Sequence, residues 1–314
     1  MLQKLYFEIA EHCFVVETPD KDLTEKILPS FRPFIINCEL HVNEELQCQT
    51  NFNVSNCTNS NLSEFQNNNV LFTFSGNKKI LIPKIKPIEK MDFDGTEFCV
   101  YHVVGGTTIS MKMGERIHYM FITSDYKQFS TDLTLTKKDE SQFILFLLRA
   151  AYGMAAIRQQ TIKIHASVTE KNGKALVFLG KSGTGKSTHS RLWREFVPGC
   201  RLLNDDEPII RLHDDGSVRV YGAPWSGSTP CYINDSAEVA AFVHLYQSPE
   251  NKLTRLSGIE SFTSMFQSSA LLRSDKKGRE ASFNLITEIL SKVPYYRLDN
   301  RPDREAVSLT ETLI

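Results

Sequence analysis

The residues with the most legible chemistry are Gly180-Lys181-Ser182-Gly183-Thr184-Gly185-Lys186-Ser187, which fit the phosphate-loop pattern G-x-x-x-x-G-K-[ST] and run on into Thr188. Gly180, Gly183 and Gly185 let backbone N–H groups converge on phosphate oxygens with no Cβ in the way. Lys186 supplies a point charge for the β- and γ-phosphates. Ser187 supplies a hydroxyl for Mg²⁺, and a helix starting there adds its positive end. The loop therefore argues for a nucleoside triphosphate with Mg²⁺, and no more than that. A second cluster follows in Arg201-Leu202-Leu203-Asn204-Asp205-Asp206-Glu207, an apolar strand ending in carboxylates. Asp205 or Asp206 would hold the metal, directly or through water, and the other could take a proton from an attacking hydroxyl.

These groups need elements to position them. Lys174-Ala175-Leu176-Val177-Phe178-Leu179 reads as a buried strand leading into the loop. After the loop, Leu192, Trp193 and Phe196 keep a helical spacing that Pro198-Gly199 ends. Beyond the carboxylates, residues 208–212, the turn His213-Asp214-Asp215-Gly216 and residues 217–221 carry a β-hairpin signature. A doubly wound nucleotide fold would put a crossover helix there, so the pattern predicts a mixed, β-heavy sheet around the loop. No N-K-x-D segment supports guanine recognition. Upstream, Ile162–Val168 reads as one strand carrying His165. Before it, Phe143, Leu147, Ala150, Ala151 and Met154 give a helix one apolar face.

The chain up to about residue 137 reads as β-rich, with strand candidates that include Phe34-Ile35-Ile36, Val70–Phe74, Ile80-Leu81-Ile82, Thr96–Val104, Met120-Phe121-Ile122 and Leu133-Thr134-Leu135. An Asn-rich stretch from Gln49 to Asn69 reads as a long loop, and the sequons within it as accidental. Two domains are expected: a β-rich domain of unknown role over 1–137, and a phosphate-loop domain over 138–314.

With 314 residues, 41% of them hydrophobic, and a net charge of −1, the chain reads as an ordinary globular protein. That charge gives no case for nucleic acid or an anionic membrane surface as a partner, and no run is long enough for a membrane span. Acidic residues interrupt the first twenty positions, and the seven cysteines include no C-x-x-C pair. A cytoplasmic protein with reduced thiols is expected. Self-association as a homo-oligomer is left open.

Three segments together carry a family resemblance: His165-Ala166-Ser167, the loop Gly180–Ser187, and Asn204-Asp205-Asp206-Glu207. Over roughly residues 140 to 310 the chain resembles the HPr kinase/phosphorylase group, which shares a superfamily with ATP-dependent phosphoenolpyruvate carboxykinase. The Asp-Asp-Glu run is similar to the carboxykinase version. The resemblance implies an α/β (α+β) kinase domain in which Lys186 and Ser187 bind phosphates and metal. It implies Asp205 or Asp206 as general base in phosphoryl transfer to a hydroxyl, with His165 near the phosphates. Related sequences often carry Lys where this chain has Ser228, and the second signature of the phosphorylase reaction is not found. The expected function is an ATP-dependent kinase acting on a Ser or Thr hydroxyl of a protein, peptide or small molecule. A regulatory nucleotide binder with little turnover is the alternative. A carboxykinase is disfavoured, because no large extra substrate domain or basic enol-phosphate site is visible.

Overall fold

A computed structural model describes residues 2–36, 70–93, 95–227, 229–269 and 272–314. The Asn-rich stretch with its sequons, and Ser228, lie outside the described residues. The chain divides into two compact units, Met1–Leu145 and Phe146–Ile314. Both are built on mixed sheets, so the fold is strand-rich α+β. No helix among the described residues is long and apolar enough to cross a membrane.

The first unit holds strands β1 (Gln3–Ile9), β2 (His12–Thr18), β3 (Ile35–Ile36), β4 (Val70–Ser75), β5 (Glu89–Phe93), β6 (Thr96–Val103), β7 (Gly106–Met113), β8 (Arg116–Thr123) and β9 (Gln128–Thr131). They lie in the order β3-β1-β2-β4-β9-β8-β7-β6-β5, with β4 parallel to both β2 and β9. Helix α1 (Lys21–Ile27) is capped by the Asp20 side chain, which accepts from the Leu23 N–H. Buried phenylalanines fill the core, with Phe14 stacked between Phe7 and Phe72 at centroid distances of 5.3 and 4.8 Å.

Two expected strands are absent here. Leu133 and Leu135 are buried, but Leu135 has φ 65°, and the N–H groups of Thr134 and Leu135 donate to the Glu140 carboxylate at 2.9 and 3.1 Å. A side chain takes the donors that a ladder would need. Ile80-Leu81-Ile82 forms no strand either, and Pro83 removes a donor just after it. Phe34 ends a 3₁₀ turn (Pro29–Phe34), leaving only Ile35–Ile36 as strand.

The second unit begins within helix α2 (Ser141–Ala156). Its strands are β10 (Thr161–Lys163), β11 (Ala166–Lys171), β12 (Lys174–Leu179), β13 (Arg201–Asp206), β14 (Ile209–Leu212), β15 (Val218–Tyr221), β16 (Ser236–Gln247), β17 (Lys252–Leu256) and β18 (Tyr295–Asn300). The main path is β10-β14-β15-β16-β12-β11-β13, with β12 and β18 both parallel to β16. The helices are α3 (Lys186–Phe196), α4 (Ile259–Gln267), α5 (Lys276–Lys292) and α6 (Arg304–Glu311).

Helices cover both faces of this sheet, which is why β12 is apolar from Ala175 to Leu179 rather than alternating. Ala175, Val177 and Leu179 pack towards Met265, Leu285 and Ile286 of α4 and α5. Leu176 and Phe178 pack towards Leu192 and Trp193 of α3 and Ala306 and Val307 of α6. The β14–β15 hairpin follows the carboxylates with no helix between, turning at Gly216 (φ 84°). The expected single strand over 162–168 is instead two. β10 pairs with β14, β11 pairs with β12 and β13, and the chain changes partner at Ile164-His165. There the His165 N–H donates to the Ser268 carbonyl at 2.7 Å, and Ile164 bridges Ser269.

Candidate functional site

Strand β12, the loop Gly180–Gly185 and helix α3 run consecutively, and the loop turns where β12 ends. Gly180 has φ 147°. A Cβ there would sit 2.5 Å from the Thr184 hydroxyl and 3.2 Å from the Leu245 carbonyl. Gly185, at φ 101°, is the N-cap of α3 and offers no side chain to the first-turn N–H groups. Those donors remain for a ligand, and an anion is the partner they suit. Thr184 closes the loop through its N–H and hydroxyl, both donating to the Lys181 carbonyl at 3.2 and 2.8 Å. Ser182 and Gly183 are exposed on its crest.

Lys186 is buried, and its Nζ donates to the carbonyls of Gly180 at 2.9 Å and Lys181 at 3.4 Å. Burial lowers its pKa, and the negative charges of Asp206 and then Asp205 work against that. Both carboxylates therefore share the field of the loop lysine. The next side chain meets one of them directly: Ser187 Oγ donates to Asp205 Oδ1 at 3.0 Å. Buried Ser167 and Ser190 share a 2.6 Å hydrogen bond that ties α3 to β11, the strand paired with β13.

Asp205 and Asp206 are adjacent, yet their side chains find different partners, as alternation along a strand requires. Asp205 faces Ser187. Asp206, the last residue of β13, has His165 Nδ1 at 3.3 Å from Oδ1 and Arg149 Nη2 at 3.4 Å from Oδ2. The segment Trp225–Gly227 closes over this end: the Gly227 N–H donates to the Asp205 carbonyl at 2.7 Å, and Asn204 Nδ2 donates to the Trp225 carbonyl at 3.0 Å.

Glu207 carries a further cluster whose other members the sequence reading did not single out. Arg149 approaches it with Nη2 at 2.5 Å and Nε at 2.6 Å, and Lys163 Nζ lies 2.8 Å away. Burial pushes the Glu207 carboxyl up, but Lys163 and Arg149 outweigh it and hold the group at about 2. The Lys163 Nζ also sits 5.5 Å from the Trp225 ring centroid, and Tyr152 packs on the same ring at 5.5 Å. The available signals were charges inside apolar runs: Arg149 in Leu147-Leu148-Arg149-Ala150-Ala151, and Lys163 between Ile162 and Ile164.

Beside the loop lies a cavity of about 170 Å³, lined by Gly183, Thr184, Gly185, Thr188, His189, Gln247, Asn300 and Pro302. Gln247 Nε2 donates to the Gly183 carbonyl at 3.1 Å. Two buried atoms of its lining, Asn300 Oδ1 and His189 Nδ1, have no hydrogen-bond partner among the described residues. Burial holds His189 at about 4, so its imidazole is neutral at physiological pH. A buried acceptor without a partner costs free energy unless a ligand or water satisfies it.

The fit to Mg²⁺ rests on the donor set. Ser187 and Asp205 supply hard oxygens 3.0 Å apart beside the glycine loop. Mg²⁺ commonly takes one or two protein oxygens and completes its shell with phosphate and water.

No family model matches the chain, and no curated protein does. Among solved structures it is similar to the Hpr(Ser) kinase/phosphatase from Coxiella burnetii, at 13% identity and a TM-score of 0.30, over 48% of this chain and 87% of that one. This is a distant structural relationship.

Proposed function

We propose that the chain is an ATP-dependent kinase that transfers the γ-phosphoryl group to a hydroxyl of a protein, peptide or small molecule. The observation that carries this reading is the Ser187–Asp205 pair at 3.0 Å, one residue from the loop lysine and one residue from a second carboxylate. In this reading the loop N–H groups and Lys186 hold the phosphates, and the cavity lined by Thr188, Gln247 and Asn300 takes the base. Ser187 and Asp205 hold Mg²⁺, which when bound neutralises phosphate charge. Asp206 accepts the proton of the attacking hydroxyl as the oxygen–phosphorus bond to the acceptor forms and the bond to the ADP leaving group breaks. His165 and Arg149 fix the direction of the Asp206 carboxylate.

The alternative, a regulatory nucleotide binder with little turnover, draws support from those same contacts. Asp206 is already engaged at both oxygens, so an attacking hydroxyl must displace one of these contacts to reach it. The deciding experiment pairs ATP–Mg²⁺ calorimetry with release and transfer of label from γ-labelled ATP, in the wild type and in Asp206→Asn. A kinase binds ATP equally in both forms, and the variant turns over roughly 10²–10⁴-fold more slowly. ATP binding with no transfer to any acceptor or to water in the wild type would establish the regulatory reading instead.

A further inference from the structure

Three polar side chains of the second unit form a buried relay beside the glycine loop, His244 of β16, Ser264 of α4 and Tyr295 of β18. The Tyr295 hydroxyl donates to Ser264 Oγ at 2.8 Å. Ser264 Oγ is hydrogen-bonded in turn to His244 Nδ1, and the Tyr295 hydroxyl lies 3.4 Å from the same nitrogen. Because the serine oxygen accepts from the tyrosine, the serine proton goes to Nδ1. This network assigns the ring hydrogen to Nε2, which has no hydrogen-bond partner among the described residues. The Tyr246 ring stacks on the imidazole at 4.7 Å and fixes its plane. Burial first, and then the positive charges of Lys186, Arg297 and Lys181, hold His244 at about 4. At physiological pH the ring is therefore neutral and presents one N–H.

The relay stands at the loop end of the sheet. His244 is the register partner of Leu179, the residue before Gly180. Alternation along β16 puts Leu245 and Gln247 on the α3 face, with the cavity read as the base site. It puts Phe242 and His244 on the opposite face, against α4 and α5. On that face α4 also reaches the proton acceptor. The Ser268 hydroxyl donates to the Ser264 carbonyl at 3.0 Å, and the Ser268 carbonyl accepts from the His165 N–H at 2.7 Å. His165 Nδ1 in turn lies 3.3 Å from Asp206. Ser268 follows Ser264 by about one helical turn, roughly 5–6 Å. One wall thus carries His244 at its loop end and His165 at its Asp206 end. Building on the nucleotide reading above, we propose that His244 Nε2–H donates to an oxygen of the terminal phosphate, with Ser264 and Tyr295 as the positioning residues that hold this tautomer. A nucleotide with its base in the cavity enters the loop from the α3 face, so its far phosphate meets the α4 face. His244 then makes the site tell a nucleoside triphosphate from a diphosphate. A relay that only fastened β16 to α4 would not distinguish the two.

The test is calorimetry of the full chain with Mg²⁺ and either ADP or the non-hydrolysable β,γ-imido analogue of ATP. His244→Phe keeps a ring and removes the N–H. It should weaken the analogue about tenfold or more, as expected for a lost hydrogen bond to a charged group, and leave ADP affinity unchanged. His244→Gln, which keeps an amide N–H, should recover part of that loss. Ser264→Ala releases the tautomer and should weaken the analogue several-fold, again with ADP unchanged. If His244→Phe does not fold, Ser264→Ala decides, and wild-type affinity for the analogue in that variant overturns the proposal. Equal losses for both nucleotides, or no loss of the analogue in either variant, overturn it and leave the loop assignment standing. A wild type that binds neither nucleotide removes the nucleotide reading and this proposal with it.

Discussion

Glu207→Gln isolates the buried charge cluster behind the candidate site. In the fold this carboxylate is 3% exposed and neutralises two cations, Arg149 at 2.5 Å and Lys163 at 2.8 Å. Glutamine nearly preserves the shape and removes the charge, leaving a buried ammonium and a guanidinium without their shared counter-ion. Breaking a buried pair in this way costs about 3–5 kcal/mol. Linkage gives a second route to the magnitude. A carboxyl held at about 2 in the fold, against 4.5 when exposed, contributes about 3 kcal/mol at neutral pH. Because the folded value is the depressed one, that contribution is present above pH 4.5 and is lost as pH falls towards 2. For a unit of this size the loss corresponds to a fall of about 10 °C in Tm. The assay is thermal and urea unfolding followed by circular dichroism at pH 7 and at steps down to pH 3. The wild type should lose stability more steeply between pH 5 and pH 3, so the gap between the two proteins should narrow over that range. A variant less than about 1 kcal/mol weaker at pH 7, well below the buried-pair range, or one with the same acid slope as wild type, would refute the cluster's role.

Lys186→Ala should abolish ATP binding by calorimetry while unfolding stays cooperative, because the lysine's own contacts are to loop carbonyls at 2.9 and 3.4 Å rather than to the core; unchanged affinity in a folded variant would remove the phosphate assignment. Gly180→Ala should also lose ATP affinity and should destabilise the loop by about 1–3 kcal/mol, since φ there is disfavoured for a side chain and the new Cβ would meet the Thr184 hydroxyl at 2.5 Å; a variant with wild-type affinity and Tm would show that the loop tolerates a different path.

The parts legible from sequence were those whose causes are local. The apolar run of β12, the glycines of the loop and the spacing of Leu192 and Trp193 specify strand, turn and helix over about twenty residues, because propensity and period act between near neighbours. The β14–β15 hairpin was legible for the same reason, since Asp214-Asp215-Gly216 sets the turn. Failures came where the run's own composition does not say which group its backbone meets. Leu133-Thr134-Leu135 has a strand's composition, but the Glu140 carboxylate takes its donors. Residues 162–168 read as one strand, but the sheet offers different partners to the two halves and breaks the run at His165. Ile80-Leu81-Ile82 has β-forming side chains but pairs with no strand among the described residues, and propensity alone cannot supply one.

The same division runs through the site. Sequence determined which residue types stand at the loop and at the end of β13, and left open what Asp205 and Asp206 each face. Only the tertiary structure decided that, by pairing β13 with β11 so that Asp205 meets Ser187 and Asp206 meets His165 and Arg149. Arg149, Lys163 and Glu207 come together across 44 and 58 positions of chain. Nothing in a local pattern encodes that meeting, because it depends on how α2, β10 and β13 pack. The physical reason is burial: once the sheet closes, a charge stranded inside it must find its opposite, however far away in the chain that lies.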